Sequence, residues 1–141
     1  VTDPSTPSPD DVAVLDLVLE ALLPYAGAAE VTLVWGDRAG MWFTQVRPRN
    51  SRAANLDIAV EENTINITVG RTWFEVFGDV QKSLPYLRDV VDAVFAGAVE
   101  ESGWKENAFA RIRTKDGLVQ AGAVHLPLPW RLRRVRRYES Y

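Results

Sequence analysis

Residues 56–69, LDIAVEENTINITV, hold two runs in which every second residue is apolar: Leu56, Ile58 and Val60, then Ile65, Ile67 and Val69. A period of two puts those side chains on one face of a pleated strand and the polar ones on the other. Only Glu61, Glu62 and Asn63 separate the runs. A parallel crossover needs about a dozen residues or more, so this stretch predicts an antiparallel hairpin with one apolar face. Such a face must be covered by other parts of the chain.

Two segments supply the cover. Ser8-Pro9-Asp10-Asp11 carries a capping serine, a proline at the first helical position and two acids suited to the positive end of a helix. Val12, Leu15, Leu19 and Leu22 follow at spacings of three and four, which predicts a helix over about 9–23 that ends at Pro24 and Gly27. A second helix is predicted over 83–99, where Leu84, Leu87, Val91, Val94, Phe95 and Ala98 share one face and Pro85 falls in the first turn. Gly103 is read as the stop after it.

The remaining strands follow the same alternation. Val31, Leu33 and Trp35 lead through the turn residues 36–40 to Trp42, Thr44 and Val46, a first hairpin. TWFEVF, 72–77, is read as continuing the fourth strand or packing irregularly beneath the second helix. WKENAFARIRT and LVQAGAVHL form a last hairpin about Lys115-Asp116-Gly117, and Pro127 and Pro129 end the sheet region. The expected fold is α+β: a single antiparallel sheet in the order α-β-β-β-β-α-β-β, with two helices packed on one face. Residues 1–9 are expected to be a disordered leader, 10–128 the domain and 129–141 a basic tail.

Composition narrows the chemistry. The chain has 141 residues, one histidine and no cysteine. A thiol nucleophile, a disulfide framework and a thiolate metal site are therefore excluded, and His125 alone falls short of the three or four ligands of a zinc site. At the end of an apolar strand, His125 reads as structural. The acidic pairs Glu61-Glu62, Asp89 with Asp92, and Glu100-Glu101 could hold magnesium or do acid–base work. Turn and helix-surface settings favour solvated acids for the first two pairs. Glycine-rich phosphate loops and the G-x-S-x-G elbow are both missing. The expectation is a protein that is not an enzyme and needs no cofactor or metal. The polar, acidic start VTDPSTPSPDD lacks a signal-peptide pattern, no apolar run nears the roughly 20 residues that span a bilayer, and a cytoplasmic location is expected.

Charge is distributed unevenly. Net charge is −3, yet 130–141 carries five arginines against Glu139, about +4, which leaves about −7 for the rest. Arginine outnumbers lysine thirteen to three, which fits codon bias in a GC-rich, bacterial genome. The tail PWRLRRVRRYESY admits docking on the protein's own acidic surface, a protein partner or second subunit with an acidic surface, or nucleic acid. A membrane is not expected, because Trp130, Leu132 and Val135 do not build a wide apolar face. Arg47, Arg49 and Arg52 could extend a basic surface if the fold brings them near. Five tryptophans is a high count for this length. Most should fill the layer between sheet and helices, with Trp42 and Trp130 expected to be exposed.

The order of elements resembles, loosely, small α+β domains of secretion chaperones and of bacterial toxin-immunity proteins. That resemblance implies protein binding and carries no catalytic residue over. The leading expectation is a non-enzymatic protein-binding module using an exposed sheet face and the tail, with Trp42, Trp130, Arg131, Arg133, Arg134, Arg136 and Arg137 as its contact residues. The alternatives are a nucleic-acid-binding accessory protein acting through the tail, or a small-molecule-binding domain.

Overall fold

Helix α1 (Pro9–Leu22) begins where the sequence places a reciprocal cap. The Asp11 amide donates to Ser8 Oγ at 3.1 Å, and the Ser8 amide donates to Asp11 Oδ2 at 2.9 Å. Residues 5–103, 108–122 and 134–141 are described by the computed structural model. Part of the expected leader therefore lies outside the described residues, and Pro9 already belongs to α1. Val14, Val18, Ala21 and Leu22 are buried against the sheet, and one 3-10 turn, Leu23–Tyr25, ends the helix.

Five strands follow in succession: β1 (Ala29–Gly36), β2 (Met41–Pro48), β3 (Leu56–Glu61), β4 (Thr64–Val69) and β5 (Thr72–Phe77). They form one antiparallel sheet in chain order. Its register aligns Leu33 with Thr44, Ile58 with Ile67, and Ile67 with Phe74, so the apolar phase of every strand faces the helices. TWFEVF neither prolongs β4 nor packs irregularly. Gly70, at φ 61, reverses the chain with Arg71, and the segment returns as β5. A single glycine in left-handed conformation makes this two-residue turn.

Helix α2 (Val80–Phe95) starts three residues before the expected position and stops four before its expected end. Asp79 caps it by accepting from the Lys82 amide at 3.2 Å. Gly97 closes it at φ 74, with the Gly97 and Ala98 amides donating to the carbonyls of Val94 and Ala93. Val99 therefore opens β6 (Val99–Ser102), followed by β7 (Phe109–Thr114), β8 (Gly117–Gly122) and β9 (Val135–Arg137).

The α+β class stands, but the single sheet does not. The later strands form a second antiparallel sheet in the order β8-β7-β6-β9. Alternation encodes which face of a strand is buried, not which edge it pairs with. After α2 the chain re-enters as β6 between β7 and β9, and β5 lies beside β8 without a hydrogen-bonded ladder. Helix α2 packs against α1, β4 and β7, so both sheets share one core. Phe95, fully buried, stands at its centre, with the ring of Tyr25 at 5.9 Å and that of Tyr141 at 4.6 Å. Removing such a ring costs about 3–5 kcal/mol.

Candidate functional site

The C-terminal segment is built into the fold by aromatic side chains. Strand β9 pairs antiparallel with β6, aligning Arg137 with Glu100 and Arg136 with Glu101. The amides of Tyr138, Glu139 and Tyr141 donate to the carbonyls of Val99, Arg52 and Phe95. Tyr138 is buried, and the Tyr141 hydroxyl donates to the Ala54 carbonyl. The 50–53 loop runs beside the terminus, where Asn50 donates to Glu139 and to the Ser140 carbonyl, and Arg52 pairs with Glu139 at 3.1 Å. These contacts hold the Glu139 carboxyl below the usual range, the Asn50 hydrogen bond being the largest cause and that from Arg52 the next.

A buried carboxylate joins this segment to both sheets. Glu101 on β6 is fully buried. Its Oε2 accepts from the Arg71 amide at 2.9 Å and from Thr72 Oγ1 at 2.7 Å; its Oε1 accepts from Arg71 Nε at 3.0 Å and from Tyr138 Oη at 2.9 Å. Four donors on two oxygens satisfy an anion that would otherwise be costly to bury. Burial, then the charge of Glu101 and the hydrogen bond to it, push the Tyr138 hydroxyl up to about 12. Burial pushes the Tyr141 hydroxyl upward as well. Gly70 must lack a side chain here, because a Cβ would collide with the Tyr138 hydroxyl and reach Glu101 Oε2 at 3.1 Å. With its lone pairs held by Arg71, Thr72 and Tyr138, Glu101 fastens elements together. In sequence it appeared only as one of an acidic pair. The signal was its phase with Val99, visible once 99–102 is read as strand rather than helix end.

The expected contact residues are divided. Arg134, Arg136 and Arg137 are exposed. Arg136 lies over the Tyr138 ring at 4.8 Å, and Arg137 approaches Glu100 at 3.6 Å with its side chain 80% exposed. Trp130, Arg131 and Arg133 lie outside the described residues, as does His125. Arg47 does not extend the tail's basic surface, because it pairs with Asp57 at 2.6 Å. Trp42 is half-buried rather than exposed. It packs edge-on to Trp35 at 5.7 Å across the β1–β2 hairpin, on the sheet's inner phase with Thr44 and Val46.

The exposed aromatics are elsewhere. On β5, Trp73 is 55% and Phe77 75% exposed, while Phe74 and Val76 turn inward to the core. Trp73 aligns with Thr68, and Phe77 with Thr64, on the open face of the five-stranded sheet. Glu75 lies between them on the same face, and Glu61 joins through the Glu61–Thr64 pair. The result is a pair of exposed aromatics with one acid between them and another beside Phe77. The two possible phases of TWFEVF are both aromatic, which is why the sequence did not single out Trp73 and Phe77.

Among the described residues, no group of three acidic or histidine side chains could hold a metal ion, and no helix is long and apolar enough to cross a membrane. Comparison with protein-family models, with curated proteins and with solved structures returns no match.

Proposed function

We propose that the protein is a non-enzymatic protein-binding module of the chaperone, adaptor or immunity type, which takes its partner on the open face of the five-stranded sheet. The observation that carries this reading is the solvent-facing pair Trp73 and Phe77. Aromatic side chains presented to water on a rigid strand supply the large, low-entropy anchors on which protein interfaces concentrate their binding energy. Glu75 between the two rings and Glu61 beside them suit a partner whose apolar patch carries basic groups. The exposed arginines Arg134, Arg136 and Arg137 form a separate basic surface, suited to an acidic region of the same partner or of a second one. Exposed charges contribute more to encounter rate and selectivity than to affinity.

The test is affinity capture with three versions of the full chain: wild type, Trp73→Ser with Phe77→Ser, and Arg134→Ser with Arg136→Ser and Arg137→Ser. Each is first checked for an unchanged circular dichroism spectrum. A partner held by wild type and lost by the β5 variant supports the reading. A partner retained by the β5 variant overturns it. Steep salt-dependent binding to DNA or RNA that the arginine variant abolishes would favour the nucleic-acid alternative instead.

A further inference from the structure

Strand β1 is an edge with an unusual combination of features. It is eight residues long, ends the five-stranded sheet, and has no strand on its outer side among the described residues. Its sequence, AEVTLVWG, contains no lysine and no proline, the residues that commonly block edge-to-edge pairing. The other edges are treated differently: β5 lies beside β8, and β9 is three residues long.

The free backbone groups of β1 can be assigned by register. The Arg49 amide donates to the Ala28 carbonyl at 2.9 Å, and Ala29 faces Pro48, which has no N–H to give. Hydrogen-bonded pairs alternate along an antiparallel ladder, so the even-numbered residues of β1 bond to β2. The N–H and C=O groups of Ala29, Val31, Leu33 and Trp35 therefore point to the open edge.

An apolar flank overhangs that edge. On α1 and at its C-cap, Val12 is 40%, Leu19 46% and Leu23 72% exposed. At 100° per residue these three fall within about 40° of one another. The opposite flank of α1 faces α2, where Glu20 pairs with Arg88 and Asp10 accepts from Gln81. Since α1 lies over β1, β2 and β3 and α2 reaches β4, the exposed stripe is on the β1 side. Val31, Leu33 and Trp35 are only half-buried beneath it.

We infer that this edge and flank form a two-fold interface with a second copy of the chain, in which β1 pairs antiparallel with its counterpart about an axis at Thr32. That register sets Ala29 against Trp35 and Val31 against Leu33 of the second copy, so all four outward-facing residues meet partners of the same parity. On the outer face Thr32 meets Thr32 and Glu30 meets Val34, and no like charges oppose. A foreign strand would satisfy the backbone but leave Leu19 and Leu23 in water. A second copy brings its own α1 stripe to cover them. The eight strand residues with Val12, Leu19 and Leu23 fall short of the roughly 20 residues a side of a standard interface, which suits a weak dimer.

Sedimentation equilibrium of the full chain tests this. Wild type should have twice the 15.8 kDa chain mass. Thr32→Lys places two cations across the axis and should weaken association at least ~10-fold, and Thr32→Glu likewise. Mixing the two should restore a dimer, because the opposed charges then attract. Leu23→Glu, at a largely exposed position, should also weaken association without unfolding the chain. The inference is overturned if wild type is monomeric up to ~1 mM. It is equally overturned if folded Thr32→Lys stays dimeric, or if mixing folded Thr32→Lys and Thr32→Glu restores nothing.

Discussion

Replacing Glu101 with glutamine probes the fastening of the C-terminus with the smallest change in shape. The carboxylate is fully buried and accepts four hydrogen bonds. Glutamine keeps one acceptor oxygen and turns the other into an NH2 group. If the NH2 faces the Arg71 amide and Thr72, an N–H meets a backbone N–H that cannot turn away. In the other orientation it meets Arg71 Nε and Tyr138, and only the tyrosine hydroxyl can rotate to accept. At least one donor is left unsatisfied, and Arg71 loses its counter-charge. Hydrogen bonds to a charged group contribute about 1.5–3 kcal/mol each, and removing one partner of a buried pair costs about 3–5 kcal/mol. Arg71 is half in water and recovers part of that, which places the loss near 3 kcal/mol. For a chain of this length the unfolding entropy is about 0.3 kcal/mol per kelvin, so the midpoint should fall by about 10 °C. Urea unfolding measures the loss directly. A Glu101→Gln and Tyr138→Phe double-mutant cycle should give a coupling of at least about 1 kcal/mol. A loss below about 0.5 kcal/mol, within the range of an ordinary surface substitution, would mean that the Glu101 carboxylate does not fasten the C-terminus.

Alkaline unfolding should report the same contacts. Folding raises the Tyr138 hydroxyl from the ordinary tyrosine value of 10.0 to about 12 and raises that of Tyr141 too. Above pH ~10 the unfolded chain loses protons that the native chain retains, so stability is full below that pH and falls as pH rises toward 12. Urea midpoints across this range should show a shallower decline for Tyr138→Phe with Tyr141→Phe than for wild type. At the β3–β4 turn, Glu62 holds φ 50, the one described non-glycine residue at positive φ. Glu62→Gly should raise stability by about 1 kcal/mol in the same assay, strain relief exceeding the entropy glycine costs.

The elements that repeat a period were legible in the sequence. Helix α1 and its Ser8 cap, and the hairpins β1–β2 and β3–β4, follow from spacing alone. The second sheet was not legible, because pairing partners are chosen by how α2 delivers the chain, and no residue pattern states that. The end of α2 was misplaced because Ala96-Gly97-Ala98 extends the helical periodicity while Gly97 breaks it. The site was legible only in part. The basic tail stands out as charge, but the residues that hold it are Tyr138 and Tyr141, which the arginines overshadow. Trp42 is expected from the sequence to be exposed, whereas its register with Trp35 puts it on the inner face.

At its C-terminus the protein divides labour: tyrosines enter the core and arginines remain at the surface. Urea unfolding of the chain carrying Arg134→Ser, Arg136→Ser and Arg137→Ser tests that division most directly. With one loose ion pair and one cation–π contact at stake among the described residues, stability should stay within about 1 kcal/mol of wild type. A loss near the ~3 kcal/mol expected for Glu101→Gln would mean that charge, not the tyrosines, holds the terminus in place, and would contradict it.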